Sequence, residues 1–277
     1  MVLAAMLLLF QGLQPASAIP MLENPWLGYF AVAKENKFIF SVTVAGEFGL
    51  VILTKDGGEI PLPIAVQFLA TETLPDGSVR DLPMKLDTLE STDPPTAKLK
   101  KTVLRGKLTD QATGQPTLEI TLEATSGSIL ANARIIDKGA FDKNPLRPVI
   151  RTIFLPVYAN ENGQKETWDK KQLKEFEKWI GKDAITLKQL NGGRVKLQCV
   201  APVDTKSKEV SGSGITSAEV EISAYQNRKI ELQAAPNSSL SLVNASLAPL
   251  HSGFWFQWSA DAAKDPDGKA KLAIMIK

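Results

Sequence analysis

The chain has 277 residues, of which 44% are hydrophobic and 22% charged, and its 32 Lys and Arg nearly cancel its 30 Asp and Glu to leave a net charge of +2. This balance excludes global disorder and gives no basis for a strong electrostatic grip on nucleic acid or acidic lipid. A single cysteine and a single histidine exclude an intramolecular disulfide scaffold and a conventional zinc site assembled within the chain.

The N-terminus opens on the apolar run "MVLAAMLLLF", followed by "QGLQPASA". The run is shorter than the roughly 20 residues that a membrane-spanning helix needs. It fits the apolar region of a secretory signal, with Ala16-Ser17-Ala18 as the small-residue cleavage site. Residues 1–18 are therefore expected to be a signal peptide, cut after Ala18. The mature chain is expected to be exported to the periplasm, cell surface or extracellular space, with no transmembrane segment left after cleavage. The run departs from the usual signal in having no Lys or Arg before it. No cysteine lies near the cut, which disfavours a lipoprotein anchor.

From Phe38 onward the dominant period is two. "GLVILT", residues 49–54, is apolar on both faces and predicts a central strand. "TLEITLEA" sets Leu118, Ile120, Leu122 and Ala124 against Glu119, Thr121 and Glu123. "VKLQCVAPV" places Cys199 in alternation with Val195 and Leu197, as a small buried hydrophobe rather than a reactive thiol. "AEVEISA" and "KIELQA" alternate in the same way around Val220, Ile222, Ile230 and Leu232. Such alternation marks half-buried antiparallel strands. Turn chemistry falls between the runs: "KDGGE" at 55–59, "PDGS" at 75–78, "ATSGS" at 124–128, "NGG" at 191–193 and "YQNRK" at 225–229.

One segment has a different period. "TWDKKQLKEFEKWIGK" spaces Leu173, Phe176 and Ile180 for an amphipathic helix near 167–180, with Trp168 and Trp179 beside that stripe. Thr167 is the expected cap, and Gly181 is expected to end the helix in the left-handed conformation. The stretches 91–98, 137–148 and 203–214 read as loops, the last of them polar and mobile. The whole is an all-β, mostly antiparallel chain of sandwich or jelly-roll-like architecture. Residues 19–277 form either one large sandwich or two β units, about 24–140 and 145–277.

Nucleophilic triads would have to use His251, and no G-x-S-x-G elbow surrounds any serine. No motif for a cofactor, a nucleotide or a metal is present, and no catalytic residue is assigned. Glu119 with Glu123, and Glu219 with Glu221, share strand faces as a glycosidase pair would. Outward glutamates that keep a sheet soluble are the simpler account of them. Asp261, Asp265 and Asp267 before Gly268 faintly resemble a calcium loop but lack its closing bidentate Glu, and a hairpin loop between the last two strands explains the same residues.

The sharpest local signal is "HSGFWFQWS", residues 251–259. If 251–258 is extended, Phe254, Phe256 and Trp258 face the core, against Leu272, Ile274 and Ile276 in a C-terminal hairpin. Trp255 then shares the opposite face with His251, Gly253 and Gln257, a polar row on which a sugar ring can stack. The alternative is that Trp255 packs against Met275 or under the helix of Trp168 and Trp179. Trp255, His251 and Gln257 are the candidate ligand-binding residues. The composite reading is an exported, non-catalytic binding or structural β protein whose partner is a glycan or a cell-envelope component. Its alternative is a secreted carboxylate hydrolase acting on polysaccharide.

Overall fold

A computed structural model describes residues 19–109, 115–139, 144–156, 169–261 and 263–277, without the side chains of Gln172 and Leu173. The expected signal, its cleavage site, the Thr167 cap and Trp168 lie outside the described residues. Ten strands come first: β1 (Tyr29–Lys34), β2 (Phe38–Thr43), β3 (Phe48–Ile52), β4 (Ile64–Thr73), β5 (Val79–Pro83), β6 (Glu90–Ser91), β7 (Lys101–Lys107), β8 (Thr117–Ala124), β9 (Ser128–Asp137) and β10 (Leu146–Phe154). Helix α1 (Lys170–Ile180), β11 (Ala184–Gln189), β12 (Arg194–Gln198) and the short helix α2 (Lys208–Ser211) follow. The chain ends with β13 (Ile215–Glu221), β14 (Lys229–Ala234), β15 (Ser238–Asn244), β16 (Phe254–Ala260) and β17 (Leu272–Ile276).

The fold is all-β and antiparallel between its named strands. The strands fall into two stretches. One runs β1–β2–β3–β4–β10–β16–β15, with β5 beside the far end of β4. The other runs β12–β11–β13–β14–β17–β9–β8–β7–β6. They join where Ile215 of β13 pairs with Leu240 of β15. The sheet curls so that both inward faces meet in one core, with Phe40, Phe68, Phe256 and Trp258 from the first stretch and Leu118, Ile120, Leu232 and Ile274 from the second. Strands from either side of residues 140–145 pair in two places, β4 with β10 and β9 with β17.

Local patterning explains much of this. In β16, burial alternates strictly, with Phe254, Phe256, Trp258 and Ala260 inward. β3 is central, between β2 and β4, and is apolar on both faces because a second small core covers its outside. That core is made by Val32, Ile39 and Leu53, with Leu22, Trp26, Tyr29 and Val51 against it. The 91–98 loop does more than connect. Val32 donates its N–H to the Thr96 carbonyl (2.8 Å), and Leu99 donates to the Val32 carbonyl (2.9 Å). The loop thereby closes the open edge of β1. The expected hairpins join β8 to β9, β11 to β12 and β13 to β14. In the last, Gln226 and Asn227 take positive φ, as a tight turn requires.

Five expectations need correction. β16 and β17 do not form a hairpin: β16 pairs with β10 and β15, and β17 with β14 and β9. Residues 261–271 carry the chain between the stretches and exceed the two to about five residues of hairpin loops. The helix stripe keeps Ile180 buried, but Trp179 is 46% exposed. Gly181 is not left-handed. A side chain there would meet the Glu177 carbonyl at 2.9 Å, so close approach excludes one. The 203–214 segment is held, not loose: Ser207 caps α2 by accepting from Val210, which is buried, and Gln189 Nε2 donates to the Glu209 carbonyl at 2.7 Å. Finally, Cys199 is buried as expected but lies just past the end of β12.

Candidate functional site

The outward face of the first stretch is read by following registers across the ladders. One row runs Gly49, Ala65, Ile153, Trp255, Val243 across β3, β4, β10, β16 and β15. The next runs Gln67, Arg151, Gln257, Ser241. The third begins at Pro83 of β5 and passes through Leu69 and Val149 to Ser259. Trp255 and Gln257 therefore share a face, as expected from their spacing, and Met275 belongs to the other stretch.

Arg151 organises this face. Its two Nη atoms donate to the two Oδ atoms of Asp81, each at 2.7 Å, and its Nε donates to Gln257 Oε1 at 3.0 Å. Its guanidinium carbon lies 5.9 Å from the centroid of the Trp255 ring, a cation–π distance. The Arg151 side chain is 16% exposed and Asp81 47% exposed. Trp255 is half-buried. Its Nε1 is occluded and has no hydrogen-bond partner among the described residues. The indole thus offers its ring rather than its N–H. Sequence reasoning missed Arg151 and Asp81. The available signal was a lone guanidinium inside the apolar strand "PVIRTIF".

His251 stands elsewhere. It lies in a 3-10 turn at Leu250–Ser252, and Gly253 at φ 99° separates that turn from β16. The stretch 251–253 is therefore not extended, and the expected row of His251 with Trp255 is replaced by a different cluster. His251 Nε2 is 3.0 Å from Asp183 Oδ2, and the Asp183 side chain is only 1% exposed. Asp183 Oδ1 also accepts from the Ser223 N–H (2.8 Å) and Oγ (2.5 Å). Burial pushes the Asp183 carboxyl up, but the hydrogen bonds from His251 and Ser223 outweigh it and hold the group below its ordinary range. Cys199 donates its N–H to the Asp183 carbonyl, and its carbonyl accepts from the His251 N–H. Burial, with Asp183 nearby, pushes the Cys199 thiol up to about 12. This network pins α1, β11, the end of β12 and the approach to β16 together.

The paired glutamates are bound in ladders of opposite charge. Glu119 is buried between Arg105 and Arg134, each of which reaches it with Nε and Nη2. Burial raises its carboxyl, and the two arginines more than offset that, leaving it below the ordinary range. Glu123 lies between Lys271 and Lys101, whose hydrogen bonds and charge lower it. Glu219 and Glu221 share Lys229, and Glu221 is lowered chiefly by that hydrogen bond. A general acid needs the opposite shift.

In the 261–271 connection, Asp265 accepts from Asn237 Nδ2 and from the N–H groups of Lys269 and Ala270. Asp261 and Asp267 pair with Lys264 and Lys269. Among the described residues no three His, Cys, Asp or Glu side chains gather as a metal site. Among them, too, no helix is long and apolar enough to cross a membrane.

No family model and no curated protein matches the chain. Solved structures do resemble it in fold. An α-N-acetylgalactosaminidase from Bifidobacterium bifidum, in complex with Gal-NHAc-DNJ, superposes on 89% of the chain with a TM-score of 0.56 and 9% identity. The same enzyme in complex with GalNAc gives a TM-score of 0.53 at 10% identity. The matched region is 36% of the first of these chains, so the protein spans about a third of the enzyme's length. The Slr1438 protein from Synechocystis sp. PCC 6803 matches over 92% of this chain and 99% of its own, with a TM-score of 0.50 and 12% identity. At these identities the likeness is one of fold: a large, curled antiparallel β-sandwich.

Proposed function

We propose that the protein is an exported, non-catalytic β protein that binds carbohydrate, a glycan of the cell envelope or a surface polymer, on the outward face of β4, β10 and β16. The observation that carries this reading is the half-buried Trp255 ring bordered by the Arg151–Asp81–Gln257 array. A sugar presents an apolar ring face and a rim of hydroxyls. An indole beside planar polar groups of fixed orientation complements both. The likeness of fold to part of an enzyme named for an amino sugar agrees with this. The apolar run and the Ala-Ser-Ala site at 1–18 support export.

The test is a glycan array probed with residues 19–277. Wild-type protein should retain at least one polysaccharide, and Trp255→Ala should lose it while keeping a cooperative thermal transition. A folded wild-type chain that retains no glycan overturns the reading. Protein recovered from its native source should begin at Ile19, and an intact Met1 there would remove the case for export.

A further inference from the structure

We propose that this surface selects uncharged glycans over acidic ones, and that Asp81 sets the preference. The inference rests on the carbohydrate reading above and concerns the class of sugar. An arginine beside an indole ordinarily suggests capture of a carboxylate or sulfate, because the guanidinium fork matches those groups. Here the fork is already occupied. Both Nη atoms engage Asp81 and Nε engages Gln257, so three of the five N–H groups are committed and the charge is neutralised in place. Two N–H groups remain on Arg151. Each Asp81 oxygen keeps acceptor capacity, and Asp81 is half exposed.

This set donates and accepts side by side, which is what a hydroxyl requires, since it does both. An acidic sugar would instead bring its carboxylate against the Asp81 carboxylate. In the outward rows of β4, β5, β10, β15 and β16 the remaining charged residue is Arg147, exposed, opposite Thr71, to which Asp81 is also registered. It stands four residues from Arg151, roughly 13 Å along the strand, on the side away from Trp255. It therefore does not supply a positive charge at the ring.

The experiment compares retention on neutral polysaccharides (galactan, mannan, xylan, β-glucan) and acidic ones (polygalacturonate, alginate, hyaluronan, chondroitin sulfate). Wild type, Asp81→Asn and Arg151→Gln are each checked for folding by thermal melting. Wild type should bind a neutral polymer and exclude the acidic set. Asp81→Asn should gain at least about tenfold in affinity for an acidic polymer, because the guanidinium charge is released. Arg151→Gln should weaken neutral binding without that gain. A wild type that prefers an acidic polymer, or an Asp81→Asn variant with unchanged ranking, overturns the selectivity while leaving carbohydrate binding intact. Folded wild type that binds neither set overturns both. If Asp81→Asn does not fold, Asp81→Ser is read in the same way.

Discussion

On the outward face of the second stretch, charges stand beside their opposites: Arg105 and Arg134 around Glu119, Lys101 and Lys271 around Glu123, Lys229 between Glu219 and Glu221, and Lys277 against Glu231. On the outward face of β4, β10, β15 and β16, one ion pair among the described residues, Arg151 with Asp81, sits among a tryptophan, two glutamines, serines and aliphatic groups. Both faces follow the same period-two geometry. The first arrangement gives each of the five carboxylates named a cationic partner and keeps the sheet soluble, and exposed pairs of this kind contribute little each. The second holds one guanidinium fixed between Asp81 and Gln257 and keeps donor and acceptor capacity on Arg151 and Asp81 beside the Trp255 ring. The contrast shows that a charged row and a binding surface differ less in polarity than in how much hydrogen-bonding capacity their own neighbours consume.

The comparison can be broken most forcefully from inside the sandwich. Phe256 is buried and packs edge-on against Phe154 and Phe254, with centroids 6.3 and 5.9 Å away. Phe256→Ala should destabilise by about 3–5 kcal/mol in urea unfolding, the usual cost of truncating a core phenylalanine. Trp255→Ala, one residue away on the other face, should cost about 1 kcal/mol and abolish glycan retention. Equal losses of stability would mean that β16 is core on both faces.

Glu119 tests the opposite face. In Glu119→Gln one arginine keeps an amide oxygen and the other faces an NH2 donor, but both arginine side chains are about half exposed, 47% and 48%, and water screens the loss. Glu119→Gln should therefore cost about 1–2 kcal/mol in urea unfolding, with glycan retention unchanged. The same residue sharpens the pH behaviour. Glu119 and Asp183 are both held below their ordinary ranges when folded. Their contribution is complete above the unfolded values near pH 4 and is lost as pH falls through the folded ones. Urea midpoints should hold from pH 7 to about 5 and fall below about 4, and Glu119→Gln should flatten that fall. A midpoint that rises on acidification would contradict the ion pairing. The smallest effect belongs to the exposed lattice, where Lys277→Ala should shift stability by no more than about 0.5 kcal/mol and leave binding untouched.

Much of the architecture was legible without coordinates. Alternation in "TLEITLEA" and "KIELQA" marked inward rows that the structure places in the core, and Asp-Gly and Asn-Gly turns marked hairpins. The phase of "FWFQW" separated Phe256 from Trp255 correctly. The departures have a common form. The hairpin expected between β16 and β17 failed because each strand's apolar row is satisfied equally well by any apolar partner. His251 left its expected row because Gly253 turns the chain before β16 begins. Arg151 stayed hidden because its partners Asp81 and Gln257 lie 70 and 106 residues away in the sequence.

The amino-acid sequence by itself determined that this is an antiparallel β protein, which residues of each strand face inward, and where the chain turns tightly. Those properties depend on side-chain alternation and on backbone preferences within a few residues. Only the tertiary structure decided which strands are neighbours, that Arg151 meets Asp81 beside Trp255, and that His251 is bound to Asp183. Each of these is a meeting of distant segments. Period-two patterning specifies a face but not a partner, and the partner is chosen by how all the inward rows pack at once.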